Sequence, residues 1–143
     1  MVANAQLRHE GPQPISSEPA DVYVGEGTGV AVPYGEPIKR YVALPLISCA
    51  AVIFASAESL NAYLYHASRG IVPVQTLNTV MATLGKVPLA SVLVIYTFPA
   101  PSDNLYIAEA NRIAAYGIPP KNIIYAPDLS LNSFGINSAT LIG

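Results

Sequence analysis

Tryptophan is absent, cysteine occurs once, and only 11% of the 143 residues are charged. A single cysteine excludes an intrachain disulfide, and with it the small oxidised scaffolds that depend on one. Lysine and arginine number 7 against 9 carboxylates and are scattered along the chain. A phosphate-tracking protein needs clustered cations, because each neutralised phosphate adds to affinity, so no nucleic-acid partner is expected. Cys49, His66 and His9 fall in no C-x-x-C or H-x-x-x-H spacing, so neither a metal site nor a metal cofactor is expected. Long apolar runs are also missing. The most apolar stretch, Val42–Ala57, contains Pro45, Ser48, Cys49 and Ser56. It falls short of the roughly 20 apolar residues a helix needs to cross a bilayer, so no membrane span is expected. Met1–Glu10 is mixed and polar, without the apolar centre of a secretory leader. The expected location is the cytoplasm, or a destination reached by a route other than Sec.

What the chain does have is apolar residues, 52% of the total, with a mean hydropathy of +0.40. That composition excludes a disordered chain and suffices for one buried core. Residues 1–20, with Gly11, Pro12, Pro14 and Pro19, read as a flexible or extended arm. Residues 21–143 read as a single domain. So few charges, together with nine tyrosines, suit a protein-binding surface or a homo-oligomer.

Val22–Val24 and Val30–Val32 read as short strands around Gly25, Gly27 and Gly29. This G-x-G-x-G run has the composition of a phosphate loop, but a phosphate loop leads into a helix N-terminus. Here more strand follows, so a bend between strands is the better reading. Ala51–Phe54 reads as a central strand, Ser56–Ser59 as a turn and Asn61–Ser68 as a second strand, together a hairpin. Alternation places Tyr63 and Tyr65 on one face, Leu64 and His66 on the other. Val74–Leu84 carries a helical stripe, with Gly85 as its stop. Ser91–Phe98 is a strand. A helix capped by Ser102 or Asp103 runs to about Tyr116, and Asn122–Tyr125 is a short strand. Residues 126–137 read as turn-rich, and Ala139–Ile142 as a last edge strand. The expected fold is α/β, a two- or three-layer sandwich of helices on a mixed, largely antiparallel β-sheet.

The hairpin brings the start of its first strand beside the end of its second. It therefore juxtaposes Cys49 and His66, the one thiol and the one imidazole within residues 21–143. A thiol becomes a strong nucleophile when an imidazole takes its proton, so the pair has the parts of a nucleophilic site. Backbone N–H groups in the turn leading to Cys49, with the Ser48 hydroxyl, are candidates for an oxyanion hole. The competing reading makes Cys49 a core residue, since unpaired cysteines are among the most buried side chains. Arg69 and Arg112 could hold substrate carboxylates but read better as solvated surface groups. Asp103 reads as a helix cap, and Asp128 has no assigned role.

The pattern Leu46-Ile47-Ser48-Cys49-Ala50-Ala51-Val52, then Leu64-Tyr65-His66 and Gly70, resembles the CheD family of receptor deamidases. It is also similar to the catalytic core of the cytotoxic necrotizing factor toxins. The resemblance covers roughly residues 22–143 and rests on few identities. It implies a CheD-like fold and cofactor-free hydrolysis of glutamine side chains in a protein partner. Cys49 would then be the nucleophile and His66 the acid–base. It also implies a group that orients His66. The CheD threonine position corresponds to Ala43, so a backbone carbonyl near Tyr41–Leu44, as in the toxins, or the side chain of Gln75 or Asn78, would take that role. The alternative is a catalytically degenerate relative that acts as a protein-binding or regulatory domain.

Overall fold

The computed structural model describes residues 7–10, 22–33, 40–43, 46, 49–98, 104–127 and 133–137. Nine strands and two α-helices lie among them: β1 Leu7–Glu10, β2 Val22–Val24, β3 Gly29–Pro33, β4 Arg40–Ala43, β5 Ala50–Ser56, β6 Asn61–Ala67, α1 Val74–Leu84, β7 Val92–Phe98, α2 Asn104–Ala115, β8 Ile123–Pro127 and β9 Ser133–Asn137. The strands form a five-stranded sheet, β3-β6-β5-β7-β8, and a four-stranded sheet, β1-β9-β4-β2. Only β2–β4 and β7–β8 pair in parallel. The architecture is therefore mixed α/β with a mostly antiparallel sheet and two helices.

β5 explains the layering. All seven of its residues are buried, which is what a strand covered on both faces looks like. Cys49, Ala51, Ile53 and Ala55 pack in one apolar cluster with Val24, Tyr41 and Ala43 from the four-stranded sheet. Ala50, Val52 and Phe54 pack in a second cluster with Leu77, Val80 and Leu84 of α1 and Ile113 of α2. The order across the domain is sheet, sheet, helices. No helix is long and apolar enough to cross a membrane among the described residues.

Local chemistry sets the joints. Ser56 Oγ accepts from the Glu58 N–H and Ser59 Oγ from the Asn61 N–H, both at 3.1 Å, closing the β5–β6 turn. The buried face of α1 is Leu77, Val80 and Leu84, at helical spacing. Asn61 Nδ2 donates to the Thr83 carbonyl at 3.3 Å, tying the start of β6 to the end of α1.

Three elements differ from the sequence expectation. Residues 7–10, expected within a flexible or extended arm, form the edge strand β1, paired antiparallel with β9. Residues 133–137, expected within a turn-rich segment, are β9, which also pairs with β4. Arg40–Ala43 leaves the apolar run of β5 and joins the other sheet. Each of these pairings is made to a strand far away in sequence, so no local period marks it. The expected edge strand Ala139–Ile142 lies outside the described residues.

Candidate active site

His66 is fully buried, at 0% exposure. It sits on β6 directly opposite Ala51 of β5. Alternation along β6 turns Ala62, Leu64 and His66 towards the four-stranded sheet, the side on which Ala62 and Leu64 pack. Cys49 immediately precedes β5 and belongs to the same inter-sheet cluster. In the hairpin register it is the diagonal neighbour of His66, a relation that spans about 7–8 Å between Cα atoms in a regular ladder. Both side chains thus face the same inter-sheet layer, at one end of the sandwich.

The backbone of His66 extends the β3–β6 ladder. Its N–H donates to the Thr28 carbonyl at 2.9 Å, and its carbonyl accepts from the Gly27 N–H at 2.8 Å. Its ring Nδ1 lies 2.7 Å from the carbonyl oxygen of Val24, the last residue of β2. A carbonyl only accepts, so Nδ1 carries the proton. In the neutral ring Nε2 is then the unprotonated nitrogen, the form a general base requires. Nε2 is buried and has no hydrogen-bond partner among the described residues, a condition that costs about 1–3 kcal/mol and that calls for an explanation.

Residues 25–28 carry β2 of one sheet into β3 of the other. The turn is closed by Thr28 N–H to Gly25 carbonyl at 3.1 Å and by Thr28 Oγ1 to the same oxygen at 2.6 Å. Gly27 has φ +77°, which a residue with a Cβ adopts only at a cost. The glycine run is thus a bend between strands, with no helix for a nucleotide phosphate to cap. At its tip Glu26 accepts a hydrogen bond from Ser68 Oγ at 2.6 Å. Its carboxyl is held below the ordinary carboxylate range, first by Ser68 and then by a hydrogen bond from the Cys49 side chain. Desolvation opposes this, and the charges of His66 and Arg69 add to it. Glu26 is therefore an ionised group held by Ser68 at the end of the hairpin that carries Cys49.

The orienting group is not among those expected. Neither Tyr41, Val42 nor Ala43 supplies the carbonyl that holds His66; Val24 does. Ala43 is fully buried and pairs in register with Val24, so the position matched to the CheD threonine neighbours the orienting carbonyl without bonding the ring. Gln75 is exposed on α1, whose buried residues pack on the helix-covered face of the sheet, opposite to His66. Asn78 Oδ1 accepts from the Tyr116 hydroxyl at 2.8 Å. Ser48, Leu44, Asp103 and Asp128 lie outside the described residues.

The chain leaves the site through a sharp turn, with Arg69 at φ +56° and Gly70 at φ +78°. The helix side braces it. Tyr96 donates its hydroxyl to the Gly70 carbonyl at 2.5 Å. Glu109 Oε2 accepts from the Val72 N–H at 2.7 Å. Arg112, expected as a solvated group or a substrate anchor, donates to Glu109 Oε1 at 2.9 Å and also to the Val72 carbonyl. Glu109→Ala would leave the buried Val72 N–H without an acceptor. The expected loss is about 1–3 kcal/mol in urea unfolding, with faster amide exchange at Val72.

Sequence reasoning missed Val24 and Glu26. Glu26 carries a legible signal, a lone carboxylate in a glycine-rich turn, but nothing local ties that turn to the hairpin. No group of three or more His, Cys, Asp or Glu able to hold a metal occurs among the described residues. The chain matches no known protein-family model, and a search of curated proteins finds no match.

Proposed function

We propose that the chain is a cysteine-dependent amide hydrolase that deamidates glutamine side chains of a protein partner, with Cys49 as nucleophile and His66 as acid–base. The observation that carries the reading is the buried imidazole itself. Nδ1 is fixed on the Val24 carbonyl while Nε2 has no partner among the described residues, on the sheet face that also bears Cys49. A core histidine would satisfy both nitrogens; a general base keeps one available.

The chemistry balances within the pair. Nε2 takes the thiol proton, and the thiolate adds to the glutamine carboxamide carbon. The tetrahedral adduct collapses as the imidazolium protonates the departing nitrogen, releasing ammonia and leaving a thioester. Nε2 then takes a proton from water, and the hydroxide so formed adds to the thioester. Its collapse yields glutamate and restores the thiol. The Val24 carbonyl holds the ring in place, a positioning role.

Ammonia release from a library of glutamine-containing peptides, read with mass spectrometry of the products, tests the proposal. The expected result is glutamate formation that disappears in Cys49→Ser. The 3% exposure of Cys49 favours one competing reading, a protein-binding domain with a core thiol. No Cys49-dependent release, together with a thiol inert until the protein unfolds, would establish that reading instead.

A further inference from the structure

Glu26 lies at the end of the hairpin that bears Cys49, where Ala50, the residue after Cys49, pairs with Ala67, the residue before Ser68, and the Cys49 side chain is among the groups that hold its carboxyl below the ordinary range. It is held there. Ser68, two residues beyond His66, donates to Glu26 Oε2 at 2.6 Å. The turn that carries Glu26 is bonded to the His66 backbone through Gly27 and Thr28, and begins at the Val24 carbonyl that holds the His66 ring. One short segment therefore sets the imidazole and the carboxylate relative to each other. On the same hairpin, Nε2 of His66, a residue at 0% exposure, has no hydrogen-bond partner among the described residues and is open to a ligand's polar group.

We propose that Glu26 is a specificity-determining residue that selects a carboxamide over a carboxylate at Cys49, a role that rests on the Cys49–His66 reading. A glutamine amide carries two N–H donors and no charge, whereas the glutamate product only accepts and is anionic. A fixed carboxylate gains a hydrogen bond from the first and repels the second. It admits uncharged substrate amides and expels the product, and it disfavours target glutamines already crowded by acidic side chains.

Two alkylating reagents mimic the two side chains. Iodoacetamide bears the carboxamide and iodoacetate the carboxylate, and the Cys49 thiolate displaces iodide from either. The measured quantity is the ratio of their rates in the folded protein, divided by the same ratio in urea-unfolded protein. Wild type is expected to favour iodoacetamide by about fivefold or more, the factor a like charge in contact exerts through water. Glu26→Gln is expected to bring the normalised ratio to within about twofold of unity. Salt near 1 M, where the screening length is about 3 Å, is expected to lower the wild-type ratio without any substitution. A ratio unmoved by both Glu26→Gln and salt overturns the proposal. His66→Ala separates this from the catalytic reading: it slows both reagents and leaves their ratio in place. Rates that ignore His66 while the ratio follows Glu26 would remove the dyad and keep Glu26 as the filter.

Discussion

His66→Ala is expected to slow iodoacetamide alkylation of Cys49 at pH 7 by roughly 10- to 30-fold, because an unassisted thiol is only a few per cent thiolate at that pH. Deamidation, in which the imidazole must also protonate the leaving nitrogen, is expected to fall further, by about 10²–10⁴-fold. Alanine also removes a buried ring from beneath the 25–28 turn, so a structural effect has to be separated from a chemical one. His66→Asn does this. Its side-chain amide retains an N–H donor for the Val24 carbonyl but offers no base. If the role is chemical, Asn fails as badly as Ala; if the ring only fills space and holds the turn, Asn restores much of the rate. Equal alkylation rates in wild type and both variants, with unchanged circular dichroism, would end the catalytic reading.

The largest expected stability effect is at Phe54, which has 0% exposure. It lies on β5 opposite Tyr63 of β6 and Val94 of β7, in the cluster shared with α1 and α2. Phe54→Ala deletes the ring from the layer that joins helices to sheet, at a cost of about 3–5 kcal/mol. That is a large share of the 5–15 kcal/mol that typically holds a domain of this size. Urea unfolding should show a lower midpoint with little change in slope. Ile53→Val, one position along but facing the other sheet, is expected to cost only about 0.5–1.5 kcal/mol. Similar costs for the two would mean that the helix layer contributes less to stability than its burial implies.

The sequence by itself determined the central hairpin, both helices and the strand between them. These elements are marked by short-range periods: 2 in Asn61–Ala67, 3.6 in Val74–Leu84, and glycine stops at Gly85 and Gly117. It also determined that Cys49 and His66 lie at the same end of the hairpin, because an antiparallel hairpin is a local object whose register follows from its turn. The second sheet is a different matter. β1, β4 and β9 are short, and they are joined through backbone ladders between distant segments, which demand no particular side chains. Only that packing brings β2 over the hairpin, so only the tertiary structure decided that Val24 orients the imidazole and that Glu26 is held by Ser68 at the hairpin end that carries Cys49. A backbone carbonyl leaves no mark on residue identity, and a glutamate in a turn looks like any solvated charge. Chemistry carried by the hairpin's own side chains is written locally, whereas chemistry supplied by another segment's backbone depends on where the fold puts it.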